Sequence, residues 1–252
     1  MRQDEVLTKP RYKHAPIQEA ICEVHFAMGT ALDEAAVARM QPVWRDQYPD
    51  QRVVTEQNLQ LHLGLDGVDA KSIAVGHKLI ARSSEGRDLA QLGPRFLAVN
   101  RLRPYPGWET PFRDTILTRL QDVVEVHHLE QVTRIGLRYI NRIDIPEVPA
   151  KWSDWFAVSL PVPGGFGESG GLFQFRFEKP LPGGLLGIIN FASLPTTPHP
   201  ETSVMLDLDV VWRGSVPVGS VRNVLEQVHE PHGRLFEGYL MDRTRALFHI
   251  PG

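Results

Sequence analysis

The sequence is short of the features that usually assign a protein to a class. It holds a single cysteine, Cys22, which excludes an intramolecular disulfide, and its place in an apolar alternation predicts a small buried residue. No run of about 18 apolar residues is present, and residues 1–14 lack the apolar core of a signal peptide. These absences predict a cytoplasmic protein with no membrane partner.

Excess charge of either sign is also missing. Lysine and arginine total 27 and aspartate and glutamate 30, which gives a net charge of -3. This balance disfavours a protein that holds nucleic acid or acidic membrane through bulk electrostatics, although it leaves a local basic patch open. The 252 residues are enough for one large domain or two small, closely packed ones.

Motifs that report a known chemistry are equally scarce. The chain contains no HExxH and no cysteine cluster, and its glycine-rich stretch 161–171 is not followed by Gly-Lys-Ser or Gly-Lys-Thr. His229 and His232 have a spacing seen in metal ligation, but Pro231 between them disturbs the helix that would present them. A nucleophilic hydrolase is disfavoured, while a catalytic group assembled from distant residues stays open.

Apolar periodicity divides the chain into short elements. The pattern predicts strands over residues 17–27, 59–65, 72–82, 87–92, 95–103, 134–145, 172–179, 184–192 and 203–212. It predicts helices over 30–48, 108–128, 152–156 and 220–248, the first capped by Thr30. Internal prolines should divide or kink two of them, Pro42 in the first and Pro231 in the last.

This order of elements indicates an α+β fold in which helices cover one face of a curved antiparallel sheet. A unit of strand, helix, strands and helix recurs, so we expect a duplication with a TATA-binding-protein-like or helix-grip topology. The two halves would be residues 1–130 and 131–252, packed as one compact unit. The stretch 161–171 is the best candidate for a mobile loop.

A row of arginines is the clearest candidate for a binding surface. In the strand predicted over 134–145, alternation places Ile135, Leu137, Tyr139 and Ile143 on one face, and Arg134, Arg138 and Arg142 on the other. Guanidinium groups in a row suit a solvated face, partners for buried carboxylates, or a site for anions. The sequence does not separate these three interpretations.

A pair of acidic residues is the natural counterpart of that row. Asp207 and Asp209 share one face of the strand predicted over 203–212. Two such carboxylates bind Mg²⁺ when a third oxygen ligand and waters complete the shell. They can also pair with Arg138 and Arg142 across neighbouring strands, and structural pairing or solvation is the interpretation we favour.

A second candidate surface combines aromatic and basic residues. Arg101, Arg103 and Arg113 lie near Tyr105, Trp108 and Phe112 in the sequence. Aromatic rings beside guanidinium groups are typical of single-stranded nucleic-acid surfaces. Because Trp108, Phe112 and Ile116 also have the spacing of a helical core, we favour the core interpretation.

Several segments together resemble a sporadically distributed bacterial family of uncharacterised proteins of about this length. The segments are Tyr12 to Phe26, Asn100 to Glu109, Leu137 to Pro146, Asp207 to Val210 and Leu235 to Phe248. The resemblance spans nearly the whole chain and implies a bacterial, cytosolic origin. It supplies no reaction and no catalytic residue.

The hypothesis that these observations favour is a non-enzymatic binding or regulatory module that engages a macromolecular partner, most simply a protein, with no cofactor. The first alternative is an enzyme acting on nucleotides or phosphate esters, in which Arg134, Arg138 and Arg142 bind phosphate while Asp207 and Asp209 hold Mg²⁺. The second alternative is RNA or single-stranded DNA binding through Arg101 and Trp108. A homo-oligomer is left open.

Overall fold

A computed structural model of the protein describes residues 12, 14–27, 31–64, 67–147, 150–158, 172–194 and 202–248. The predicted loop 161–171 lies outside these residues, as does Thr30. Nine strands form one antiparallel sheet in this part of the chain: β1 (Ile17–Phe26), β2 (Asp50–Gly64), β3 (Gly67–Arg82), β4 (Asp88–Leu92), β5 (Phe96–Leu102), β6 (Gln131–Ile145), β7 (Gln174–Leu181), β8 (Leu185–Leu194) and β9 (Thr202–Pro217).

The order of strands across the sheet is β2-β3-β4-β5-β1-β6-β9-β8-β7. The sheet is therefore open, with β2 and β7 at its edges. β1 and β6 pair at the junction between the strands of the first half of the chain and those of the second. This arrangement confirms the predicted α+β class with an antiparallel sheet.

The helices pack against the apolar side of the sheet. They are α1 (Glu34–Ala38), α2 (Met40–Trp44), a π-helical turn (Trp108–Phe112), α3 (Arg113–His127), α4 (Trp152–Trp155), α5 (Val221–Tyr239) and α6 (Asp242–Phe248), with 3₁₀ turns at Pro182–Gly184 and Val218–Ser220. Cys22 and Leu137 are fully buried in one core cluster with Val224 of α5, which confirms the prediction for the cysteine. A second cluster packs α4 and α6 against β6, β8 and β9. Among the described residues, no helix combines the length and the hydrophobicity that a membrane crossing requires.

The predicted helix over 30–48 is two short helices, which divide at Arg39 rather than at Pro42. Pro42 lies in the first turn of α2, where a backbone N–H has no acceptor within the helix and its loss costs little. Asp33 caps α1, because its carboxylate accepts a hydrogen bond of 2.7 Å from the Ala36 amide.

The strand predicted over 59–65 begins nine residues earlier, at Asp50. Residues 50–58 are mostly polar and show no alternation, so the periodicity gave no signal there. The strand exists because β2 pairs with β3 along its whole length, from Asp50 opposite Arg82 to Gly64 opposite Gly67.

The C-terminal segment is two helices, but the division is at Leu240 and not at Pro231. Leu240 is extended and forms an isolated bridge with Phe156. Backbone hydrogen bonds of 3.0 Å on either side, from Ala157 to Tyr239 and from Met241 to Trp155, hold the chain there. Tertiary pairing thus ends α5, while Pro231 is accommodated inside it.

Candidate functional site

The sheet face opposite the helices carries the predicted arginine row. Ile135, Leu137 and Ile143 of β6 are buried, as alternation predicts. The antiparallel register places Arg138 opposite Asp209, and Ile140 opposite Asp207, so the arginine row and the acidic pair lie on the same face of adjacent strands.

Arg138 and Asp207 form the centre of this polar network. Arg138 Nε donates to Asp207 Oδ1 and Arg138 Nη2 donates to Oδ2, both at 2.7 Å. Asn190 of β8 donates a further hydrogen bond of 2.8 Å to Oδ2. Because the Asp207 side chain is only 1% exposed, these three bonds provide the compensation that a buried carboxylate requires.

Asp209 lies beside this pair but is much less well satisfied. Its Oδ1 atom is buried and accepts no hydrogen bond from the described residues, and Arg134 Nη2 lies 3.9 Å from Oδ2. Burial raises the pKa of Asp209 to about 6, against the opposing effect of Arg134 and Arg138, and the Asp207 and Glu23 carboxylates raise it further.

The two outer arginines of the row contact other carboxylates. Arg134 Nη1 donates to Glu23 Oε1 at 2.6 Å, and His25 Nε2 lies at the same distance from that oxygen. The hydrogen bond from His25, assisted by Arg134, lowers the pKa of Glu23. Arg142 Nε donates to Asp144 Oδ1 at 2.8 Å.

Of the two cross-strand pairs that the sequence suggests, Arg138 pairs with Asp207 of β9, whereas Arg142, whose side chain is 46% exposed, pairs with Asp144 of its own strand. The register explains the difference, because Arg142 stands opposite Met205 and its Nη2 reaches Ser203 at 3.1 Å instead of an aspartate of β9. Each arginine of the row thus contacts a carboxylate from within the fold.

The magnesium hypothesis for Asp207 and Asp209 remains an untested prediction. The carboxylate oxygens that would have to serve as metal ligands do not favour it, because both oxygens of Asp207 already accept hydrogen bonds. Within the described ranges, no three His, Cys, Asp or Glu side chains are grouped as metal ligands.

The residues of the second predicted surface do not form a common stacking platform. Arg101 Nη1 donates to Asp88 on the neighbouring strand at 2.5 Å. Trp108 is 7% exposed and Phe112 is 2% exposed, as the helical spacing predicts. Glu226 of α5 accepts hydrogen bonds from Trp108 Nε1 at 3.1 Å and from Arg113 Nη1 at 2.8 Å. These contacts fasten the π-helical turn to α5.

Sequence reasoning missed a pocket of about 280 Å³ that lies where α5 crosses β6. Its lining comes from the chain before β1, the turn after β5, the sheet and α5: Tyr12, Ala15, Pro16, Ile17, Tyr105, Trp108, Tyr139, Asn141, Leu208, His229, His232, Gly233, Arg234, Phe236 and Glu237. Most of these side chains present carbon surface. An apolar concavity with a few convergent polar groups is the usual form of a ligand site.

Aromatic contacts fix the walls of the pocket. The rings of Trp108 and His229 stack with centroids 4.3 Å apart and an interplanar angle of 4°. His232 packs edge-on against Tyr139 at 4.8 Å. Because His229 and His232 lie three residues apart on one helix, both point to the same side of α5, which is the signal the sequence contained for this site.

Two tyrosine hydroxyls form a hydrogen-bonded pair in the lining of the pocket. The hydroxyl oxygens of Tyr105 and Tyr139 lie 3.0 Å apart, and one donates to the other. Burial raises the pKa of Tyr105 and that of Tyr139 well above the ordinary value. Both therefore stay protonated at neutral pH and keep their capacity to donate.

Glu237 closes the opposite side of the pocket. It accepts hydrogen bonds from the Tyr12 hydroxyl at 2.5 Å and from Arg245 Nε at 2.9 Å. The Tyr12 ring also packs edge-on against Phe248 with centroids 5.1 Å apart. The chain before β1 is thus attached to α5 and α6 at the edge of the pocket.

None of the protein-family models compared with this chain matches it, and no curated protein matches it. The role of the pocket and of the charged face therefore has to be argued from their geometry.

Proposed function

We propose that this chain is a non-enzymatic binding module whose pocket takes up an apolar group of a protein partner. The observation that carries the proposal is the 280 Å³ concavity between α5 and β6, with its aromatic walls and its hydrogen-bonded hydroxyls of Tyr105 and Tyr139. Such a lining gains free energy by removing carbon surface from water, while its few polar atoms set the orientation of the occupant.

The charged face supports a structural role better than a catalytic one. The guanidinium groups of Arg134, Arg138 and Arg142 contact Glu23, Asp207 and Asp144 respectively. A phosphate site would need donors that these carboxylates already occupy. The contacts therefore give the phosphate-ester alternative no specific support.

The family resemblance points to the same pocket. Each of the five segments that carry it contributes to the lining: Ala15 in the first, Trp108 in the second, Asn141 in the third, Leu208 in the fourth and Phe236 in the fifth. Segments so far apart in the chain have this pocket in common. We keep as further proposals the cytoplasmic location and a duplication that relates residues 1–130 to 131–252 in a TATA-binding-protein-like or helix-grip topology.

The test is native mass spectrometry of the protein isolated gently from its own host, with a matched pair of glycine substitutions in α5. Gly233→Leu fills the pocket from its wall and also favours the helix. Gly238→Leu makes the same change at an exposed position, where an added Cβ meets nothing within 4 Å. We expect the wild type and Gly238→Leu to retain a stoichiometric polypeptide that Gly233→Leu loses.

Retention of the same polypeptide by Gly233→Leu would show that the pocket is not where the partner binds. Turnover of a nucleotide or phosphate ester that Asp207→Ala abolishes would overturn the non-enzymatic proposal itself.

A further inference from the structure

We infer that the occupant of this pocket is a neutral two-ring aromatic group that carries one hydrogen-bonding group at its edge. The inference rests on the proposed function and specifies the chemistry of what is bound. It follows from the size of the pocket, the shape of its walls, its hydroxyl pair and the compensation of its charges.

The size of the pocket favours an occupant with two rings over one with a single ring. A cavity of about 150 Å³ in a protein core is known to admit a single benzene ring. The pocket here, at about 280 Å³, has close to twice that room. One ring would leave part of the wall without contacts, whereas two fused rings fill the space.

The walls favour a flat occupant. Trp108 and His229 stack in nearly parallel planes, and Tyr139 meets His232 edge-on at 84°. Planar rings gain beyond their buried area when they stack or meet edge to face with other rings. A branched aliphatic group of the same volume would forgo that gain.

The hydroxyl pair offers the occupant one site for a hydrogen bond. Two hydroxyls have two protons, and the hydrogen bond between Tyr105 and Tyr139 uses one of them. One O–H and the remaining lone pairs are left, which suits a single donor or acceptor on the occupant. A nucleobase has several polar edge groups, more than the hydroxyl pair serves, and each one that meets the apolar part of the lining loses its water at a substantial cost.

Charge compensation argues for a neutral occupant. Arg234, the arginine of the lining, makes hydrogen bonds of 2.5 and 2.7 Å with Glu230, its neighbour one helical turn earlier. Glu237 is compensated by Tyr12 and Arg245. An anion in the pocket would lose its water without gaining a cation in exchange.

This chemistry has two sources, namely the tryptophan side chain of a protein partner and a free bicyclic compound. The indole ring combines two fused rings with one N–H donor, so both sources meet the same requirement. The proposed protein partner makes the side chain the expected source.

The experiment is equilibrium dialysis of the purified protein against four probes. 2-Naphthol has two rings and one hydroxyl, naphthalene lacks the polar group, 2-naphthoate adds a negative charge, and adenine adds polar edges. We expect 2-naphthol to bind about five-fold more tightly than naphthalene, as one net hydrogen bond provides, and both to bind more tightly than 2-naphthoate or adenine.

Two variants and one control locate the effect. The double variant Tyr105→Phe, Tyr139→Phe should bring the affinity for 2-naphthol down to that for naphthalene and leave naphthalene binding unchanged, because Tyr105→Phe alone would leave the Tyr139 hydroxyl as a partner. Gly233→Leu should abolish binding of both compounds, while Gly238→Leu binds them as the wild type does. A preference for 2-naphthol that survives in the double variant would overturn the role of the hydroxyl pair.

The inference and the proposed function fail in different ways. If 2-naphthoate or adenine binds as tightly as 2-naphthol, or if none of the four probes binds, the ligand class is wrong even where Gly233→Leu still loses its polypeptide.

2-Naphthol should also displace the species bound in the host. A displaced polypeptide supports the tryptophan source, a displaced small compound supports the free source and overturns the protein partner, and displacement of nothing overturns the ligand class.

Discussion

Replacement of Arg138 by methionine is the sharpest test of the charged face. Methionine keeps the length and the apolar stem of the side chain but removes both hydrogen bonds to Asp207. The Asp207 carboxylate, only 1% exposed, would then keep a single partner, Asn190. The substitution therefore measures what it costs to leave a buried charge without its counter-ion.

The magnitude follows from the burial of the two partners. Removal of one member of a buried ion pair typically costs about 3–5 kcal/mol. Arg138 is 42% exposed, so water compensates part of the loss, and we expect a decrease of about 3 kcal/mol in the free energy of unfolding. For a chain of this size, that decrease lowers the melting temperature by about 6–12 °C.

Arg142→Met is the matched control. Arg142 is on the same strand and the same face four residues later, but its partner Asp144 is 45% exposed. An exposed pair contributes about 0–1 kcal/mol, so the melting temperature of this variant should fall by no more than about 4 °C. Urea unfolding followed by circular dichroism gives the free energy of each variant.

Similar losses in Arg138→Met and Arg142→Met would refute the reasoning, because burial would then not decide the cost. The double variant Arg138→Met, Asp207→Asn tests the mechanism directly. It should recover part of the stability, since the uncompensated buried charge is gone. A further loss in the double variant would mean that methionine disturbs packing instead.

The other predictions concern protons, metal and the chain before β1. The raised pKa of Asp209 means that its contribution to stability is fully present below its unfolded pKa and is lost as pH rises through about 6. Asp209→Asn should therefore gain on the order of 2 kcal/mol over the wild type in urea unfolding at pH 8 and nothing at pH 4, and an equal difference at the two pH values would contradict this. Millimolar MgCl₂ should leave the melting temperature unchanged, because Arg138 and Asn190 occupy the oxygens of Asp207, and a clear rise would favour the magnesium alternative. Tyr12→Phe loses the hydrogen bond to Glu237 and should lower the free energy of unfolding by about 1–2 kcal/mol, whereas no change would mean that this contact does not hold the segment before β1.

The sequence predicted which residues share a face, because alternation along a strand is a local property. The buried face of β6 and the place of the arginines on the other face both follow from a period of two. The partners of the arginines depend on register, which is set between strands. Asp207 lies diagonally between Arg138 and Arg142, and only the alignment of β6 with β9 and β8 decides that Arg138 takes it.

Helix ends were harder to predict for a related reason. Pro231 predicts a break from local chemistry alone, since it removes a donor and crowds the previous turn. The bridge between Leu240 and Phe156, which ends α5, joins residues more than 80 positions apart, and no local pattern encodes it. Where a distant partner competes with a local preference, the distant partner decides the boundary.

The pocket shows the same limit at the level of function. The sequence places Tyr105 among the aromatic and basic residues near Trp108 and Tyr139 on a buried strand face, while the histidines of α5 have a spacing seen in metal ligation. Their common use depends on α5 crossing β6 where the segments before β1 and after β5 also arrive. An apolar pocket produces no motif of fixed residue spacing in the sequence, because its walls are ordinary core residues that border an empty volume on one side. Such a site is found by asking which buried aromatic residues border empty volume, and that question needs the packed structure.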